Sequence, residues 1–314
     1  MGFLCYRAEL GEAMAFLVSH AGALGDFITT LPSIGVWRKL HAGEKAVLLG
    51  RPAYAGLCGG MFDEVWDASS ARFASLYGPA PDARLAERFR SFVSALLFTP
   101  AGSPLAATLA ALGVRGITKQ EPFPPGPPRA GGAGGFVHVV DYHLALFPAE
   151  AVTDADRIPR IALPDDPEAA RTVQPGTIAV HPGSGSARKN WPFARFVELA
   201  HRLEARGGRI AWIGGPAERG APRAVPDAAF WRELPLPTLG ARLSRCALFV
   251  GNDSGISHLA AAVGCPSVVL FGATSPAVWA PRGEHVEIVD SGGKGMERIS
   301  VEQALQAADS FFDG

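Results

Sequence analysis

The chain is short of cysteine, of net charge and of long apolar runs, and each shortage excludes a class of protein. Its four cysteines, Cys5, Cys58, Cys246 and Cys265, sit in apolar surroundings and form no Cys-x-x-Cys pair. That argues against a zinc ribbon or a disulfide framework and for reduced thiols in a cytosol. A formal net charge of -1 over 314 residues leaves no global basic field, so no nucleic-acid partner is expected. No segment approaches the ~18 apolar residues that a membrane-spanning helix needs. The amino terminus lacks a signal-peptide layout, because Glu9 and Glu12 precede only a short apolar run. Met1-Gly2 opens like a myristoylation site, but Tyr6 stands where Ser or Thr is required. Residues 1–13 precede the first convincing strand, which makes Met14 a candidate start. There is no Asp-x-Asp pair in a suitable loop and no His or Cys cluster with ligand spacing, so no essential metal is expected.

What the chain does contain is ordinary globular material. Apolar residues make up 48% and charged residues 19%, and the length suits two domains. Short apolar strands are predicted at Met14–Ser19, Ala46–Leu49, Ser94–Phe98 and Gly116–Thr118. A helix is expected from the Gly25-Asp26 loop to Lys39, with Leu31, Ile34 and Trp37 on one face and Pro32 near its first turn. Strands alternating with helical stretches predict parallel sheet built from βαβ units. The Pro/Gly-rich run Glu121–Gly135 reads as a loop, and a helix is expected at Val137–Phe147. Ile158–Gly176, punctuated by proline, reads as an interdomain linker. Beyond it come a strand at Thr177–Val180, a polar loop at His181–Asn190 and a helix carrying Phe193, Phe196, Val197, Ala200 and Leu203 on one face. A strand at Arg209–Gly214 and a helix at Leu236–Arg245 follow. Arg84, Arg88 and Arg90 with Phe89 and Phe92 read as a solvated helix face with two core aromatics, with a lipid-facing basic-aromatic patch as the rival.

The densest segment is VGNDSGISHLAAAVGCPSVVLFG, Val250–Gly272. It reads as a strand, a loop at Asn252-Asp253-Ser254-Gly255, a helix ended by Gly264, and a second strand at Ser267–Phe271. The helix start offers unpaired N–H groups and a positive dipole end, which suit phosphate. The competing reading is a plain strand–cap–helix turn with Asp253 or Ser254 as the cap. Three loops are then expected at the carboxyl ends of adjacent strands, where open α/β sheets bind ligands.

Taken together, GALGDFITTLP (Gly22–Pro32), HPGSGSARKNWP (His181–Pro192), IGGPAE (Ile213–Glu218) and NDSGISHLAAAVGCPSVVLFGATSP (Asn252–Pro276) resemble the ADP-heptose:lipopolysaccharide heptosyltransferases of glycosyltransferase family 9. The resemblance implies an α/β protein of GT-B fold, two Rossmann-like domains facing across a cleft. Residues 1–160 would form the acceptor side, 161–176 the linker and 177–314 the nucleotide-sugar domain, with the C-terminal helix near Val301–Phe311 packing back on the first domain. The implied activity is inverting transfer of a heptose from ADP-heptose to a lipid-linked or saccharide acceptor. The ADP-sugar is then a substrate and no cofactor is needed. The resemblance also implies a cytoplasmic enzyme, with peripheral association at the inner face of the inner membrane as a further expectation. Alternatives on the same fold are a transferase using another nucleotide sugar or acceptor, a nucleotide-sugar epimerase, and a noncatalytic nucleotide-binding relative.

Roles carry over residue by residue. Asp26 matches the catalytic base, against a reading as the N-cap of a Phe27–Lys39 helix. Lys189 matches a lysine that contacts the donor diphosphate, against a solvated lysine before a helix. Ser184 and Gly185 stand at phosphate-contacting positions, with the hydroxyl kept only at Ser184. Glu218 corresponds to a residue near the ribose, and Asp253 to one that contacts sugar hydroxyls or orients Lys189. Ser254 and Gly255 would hold phosphate, and His258 lies one turn further on. Ser19 and His20 are the acceptor-side candidates.

Overall fold

The structure, a computed structural model, describes residues 14–78, 81–125, 136–214 and 229–312. They form two compact units. One holds the residues up to Gly22 together with Ile34–Phe123; the other holds Ala23–Ser33 and the residues from Pro124 onward.

The first unit is built on strands β1 (Ala15–His20), β2 (Lys45–Gly50), β3 (Glu64–Asp67), β4 (Phe92–Phe98) and β5 (Gly116–Gln120). They run parallel in the order β3-β2-β1-β4-β5. β1 is buried along its whole length, as a central parallel strand covered on both faces should be. Helix α1 spans Leu24–Leu40, and the short helices α2 (Ala83–Arg88) and α3 (Leu105–Ala111) belong to this unit. The basic-aromatic segment resolves in favour of core: Phe89 and Phe92 are buried against Trp66 and Phe73. The Arg88 guanidinium lies 4.3 Å above the Trp66 ring, covering the cluster from outside.

Helix α1 departs from expectation in two ways. It starts at Leu24, so Pro32 falls in the helix interior rather than near its first turn. Its burial is not confined to the Leu31–Ile34–Trp37 face, since Thr29, Thr30 and Ser33 are buried too. The buried hydroxyls of Thr29 and Thr30 donate to the carbonyls of Asp26 and Phe27, which makes polar residues tolerable there. Compactness divides α1 at the residue after Pro32: Ala23–Ser33 packs with the second unit.

The second unit has strands β6 (Thr177–His181), β7 (Arg209–Gly214), β8 (Ala229–Arg232), β9 (Leu248–Asn252), β10 (Ser267–Phe271) and β11 (Val286–Asp290). All are parallel, in the order β11-β10-β9-β6-β7-β8. The chain runs outward from β6 to β8 and then returns to place β9 on the other flank of β6. The topological switch therefore lies between β6 and β9. The helices are α4 (Val139–Leu144), α5 (Pro167–Thr172), α6 (Phe193–Glu204), α7 (Leu236–Leu243), α8 (Gly255–Ala262), α9 (Pro276–Trp279) and α10 (Val301–Asp309). α6 buries Phe196, Leu199, Ala200 and Leu203. α8 ends before Gly264, whose φ of 83° is the left-handed stop expected of a glycine there.

The proline-punctuated stretch before β6 carries α5, capped by the Asp166 carboxylate. It is tied to the second unit by Ile161 N–H donating to Ala262 C=O at 2.8 Å. α10 buries Val301, Ala304, Leu305 and Ala308 in the core formed by β6, β9, β10 and α6. The expected loop over Glu121–Gly135 lies largely outside the described residues, as does the Gly215–Glu218 loop.

Candidate active site

The second unit gathers the candidate residues at the carboxyl ends of β6, β9 and β10. β6 ends at His181, and the loop beyond it closes into a short turn at Ala187–Lys189. β9 ends at Asn252, directly before Asp253. Lys189 Nζ lies 2.7 Å from Asp253 Oδ2, with the lysine side chain 30% exposed and the aspartate 7%. Thr274, three residues past β10, donates its hydroxyl to the same oxygen at 2.6 Å. One shielded carboxylate thus carries a cation and a hydroxyl from the two strands that flank its own.

Asp26 belongs to the same group. Instead of capping α1 it is the third residue inside the helix, and its carboxylate accepts from Ala23 N–H at 3.3 Å. Burial raises its pKa above the usual aspartate value, offset in part by the Ala23 hydrogen bond and the nearby Lys189 ammonium, while the Asp253 carboxylate pushes the same way as burial. The contact that brings Asp26 here is backbone on backbone. A Cβ on Gly255 would lie 2.9 Å from both Gly25 N and Leu24 Cβ, and one on Gly25 would lie 3.3 Å from His258 Cδ2. Glycine at 255 is thus required by the approach of the Leu24-Gly25 backbone, a constraint that the phosphate reading of Gly255 does not contain.

Ser254 is the N-cap of α8, accepting from Ser257 N–H at 3.3 Å, with its Oγ 3.4 Å from His181 Nδ1. Burial drives the pKa of His181 down to about 4, so the ring is neutral. His258 is likewise buried and brought to about 4, chiefly by burial, with the Asp253 carboxylate and, less, a hydrogen bond to the Trp279 backbone acting the other way. Ser184 is tied into its own loop, 2.6 Å from Asn190 Oδ1 and accepting from Ser186 N–H at 3.2 Å. Gly185 is exposed, with open space where a side chain would stand. Glu218 lies outside the described residues. Ser19 and His20 are in the first unit, at the end of β1: Ser19 is bonded to the Tyr77 hydroxyl, and His20 packs its ring 5.9 Å from Phe98.

Two residues of the site were not singled out from sequence. Asn252 is fully buried, donates to Pro182 C=O at 2.7 Å and accepts from Trp191 N–H at 3.0 Å, stapling both ends of the Lys189 loop to β9. Thr274 is the other. Both stand inside quoted motifs, but nothing in a linear pattern marks which neighbours of Asp253 will face it. Among the described residues no group of three or more His, Cys, Asp or Glu side chains is placed to hold a metal ion, and no helix is long and apolar enough to cross a membrane. The described cysteines, Cys58, Cys246 and Cys265, are free and buried; burial pushes the thiols of Cys58 and Cys246 up to about 12.

Residues 133–307 match the model of glycosyltransferase family 9 (heptosyltransferase). The chain belongs to this family. A relative, lipopolysaccharide heptosyltransferase 3 of Escherichia coli, is 32% identical over 114 residues, which are 33% of this chain and 33% of that protein. A second such protein, from the K12 strain, is 26% identical over 48% of each chain, so the matches span from a third to about half of these relatives. Among solved structures, the E. coli ADP-heptose lipopolysaccharide heptosyltransferase II superposes with a TM-score of 0.74 at 17% identity, covering 95% of this chain and 98% of that one. This likeness is one of fold, and with it the two parallel-sheet units are those of a GT-B protein.

Proposed function

We propose that this family 9 protein is an inverting glycosyltransferase that moves a heptose from ADP-heptose to a saccharide acceptor of the lipopolysaccharide-core type. The observation that carries the reading is the convergence of Asp26 with the Lys189–Asp253 pair at the switch point of the second sheet. In the proposed step the acceptor hydroxyl oxygen attacks the anomeric carbon from the face opposite ADP. The bond from that carbon to the diphosphate oxygen breaks, its electron pair leaves with ADP, and the hydroxyl proton passes to the Asp26 carboxylate. Burial makes that carboxylate a stronger base than an ordinary surface aspartate, which favours proton acceptance. Lys189 offsets the charge that builds on the diphosphate, and the amino-terminal end of α8 at Ser254-Gly255 adds its dipole.

In this reading Ser184, Gly185, Asp253 and His258 line the donor side, Glu218 meets the ribose, and Ser19 and His20 serve the acceptor. Residues 1–160 act as the acceptor domain and 177–314 as the donor domain, in a cytoplasmic enzyme that meets its acceptor at the membrane surface. The test is turnover of ADP-heptose with saccharide acceptors, followed by the anomeric proton signal in NMR, alongside thermal shifts with ADP, UDP, GDP, CMP and dTDP. A β-to-α or α-to-β change at the anomeric centre and a response to ADP are expected. A response confined to UDP or GDP moves the protein to another donor, and retained configuration removes the single-displacement step. Turnover should also survive EDTA, because Lys189 and the α8 dipole meet the leaving group; activity lost to chelator and restored by magnesium or manganese would contradict that.

A further inference from the structure

The two strands that flank β9 each lead to one polar group that meets a single oxygen carried just past the end of β9. In the order β10-β9-β6 the strands are followed by Thr274, Asp253 and the turn that carries Lys189. Strands ~4.8 Å apart bring the loops that follow them within side-chain reach of one another. Thr274 Oγ1 stands 2.6 Å from Asp253 Oδ2, and Lys189 Nζ stands 2.7 Å from that same oxygen. The aspartate side chain is shielded, while the lysine remains partly open.

We propose that Thr274 is a positioning residue for Lys189, acting through Asp253. A hydroxyl donating to a carboxylate makes a charge-assisted bond, stronger than its neutral counterpart. Here it does two things. It holds the carboxylate in the rotamer that turns Oδ2 toward the ammonium. It also takes up part of the negative charge on Oδ2, so that Asp253 steers Lys189 without fully neutralising it and field remains for an incoming anion. The β-branch of threonine restricts χ1, which presets the hydroxyl direction in a way serine would not. The inference rests on reading Lys189 as the group that meets the donor diphosphate.

The test uses Thr274→Val, which removes the hydroxyl at nearly constant shape, Thr274→Ser, which keeps it, and Thr274→Val combined with Lys189→Ala. With ADP-heptose as substrate, Thr274→Val should lower kcat about tenfold with a smaller change in donor KM, because leaving-group charge is greatest in the transition state. A tenfold loss equals ~1.4 kcal/mol, the scale of one hydrogen bond to a charged group. Thr274→Ser should recover most of it, and Thr274→Val should cost nothing further once Lys189 is alanine. A second readout needs no substrate: after reductive 13C-methylation of lysines, the Lys189 resonance, assigned with Lys189→Arg, should move in Thr274→Val and return in Thr274→Ser. An unmoved resonance, or kinetic losses that add in the double variant, overturns the role of Thr274 even if the wild type turns over ADP-heptose. A resonance that moves in a protein inert toward ADP-heptose upholds the positioning of Lys189 and overturns the donor reading instead.

Discussion

Truncating Lys189 should leave a charge stranded inside the second unit, and the structure sets the size of the effect. At 2.7 Å from Asp253 Oδ2 the gross Coulomb attraction is about 6 kcal/mol at an effective dielectric constant of ~20. Most of that offsets the desolvation of the two groups. The net cost of removing one partner runs from ~0–1 kcal/mol for exposed pairs to ~3–5 kcal/mol for buried ones. With the aspartate 7% and the lysine 30% exposed, this pair falls between, at about 2 kcal/mol. For a unit of this size that corresponds to a fall in Tm of roughly 4–8 °C in Lys189→Ala. Adding Asp253→Asn removes the orphaned charge, so the double variant should regain about half of the loss. Differential scanning calorimetry on the wild type, the two single variants and the double variant closes the cycle. If Lys189→Ala and the double variant melt together at the wild-type temperature, the ammonium and the carboxylate are not coupled and the pair does not organise the site.

Asp26→Asn should cut turnover by ~10²–10⁴-fold if the carboxylate is the general base. Its folded-state pKa is raised by burial, so wild-type stability is favoured below the ordinary aspartate range and is lost as pH rises through the raised value; the asparagine variant should therefore equal or exceed the wild type in denaturant at neutral pH, with that difference absent in acid. Gly255→Ala drives a Cβ to 2.9 Å from Gly25 N and should cost ~1–3 kcal/mol while displacing the first turn of α1, which carries Asp26, whereas Gly185→Ala, with nothing within 4 Å, should leave the melting temperature unchanged. Asn252→Ala strands Trp191 N–H and Pro182 C=O, and urea unfolding should show a loss of about 3 kcal/mol. A wild-type midpoint in that variant would mean the Lys189 loop is held by something else.

Much of the second unit is legible in the sequence. The strands expected at Arg209–Gly214 and Ser267–Phe271 coincide with β7 and β10, and the α6 face and the Gly264 stop fall where periodicity and helix-end chemistry put them. β7 and β10 are covered along nearly their whole length, so their composition is nearly all apolar and their ends are marked by glycine or proline, while α6 shows one apolar face at helical spacing. Of the edge strands, β5 overlaps the strand expected at Gly116–Thr118, while β3, β8 and β11 are not legible in the same way. Glu-Val-Trp-Asp and Val-Glu-Ile-Val-Asp mix charge with apolar residues, in keeping with strands that have, among the described residues, a neighbour on one flank only, and such short alternation does not stand out from loop.

The sequence by itself determined the βαβ alternation, the family and the loops that hold the candidate residues, because each is written in a contiguous run of side chains. Only the tertiary structure decided which of those residues meet. The backbone approach of Gly25 to Gly255 draws Asp26 toward Lys189 and Asp253, which lie more than 160 positions away along the chain. Sheet order, with β9 beside β6 and β10 beyond it, brings Thr274 and Lys189 to one carboxylate oxygen. His258, on α8, is buried as well, which its place in the sequence does not show. Strand order and close backbone packing follow from how apolar faces are buried across the whole unit, and a local pattern carries no record of that.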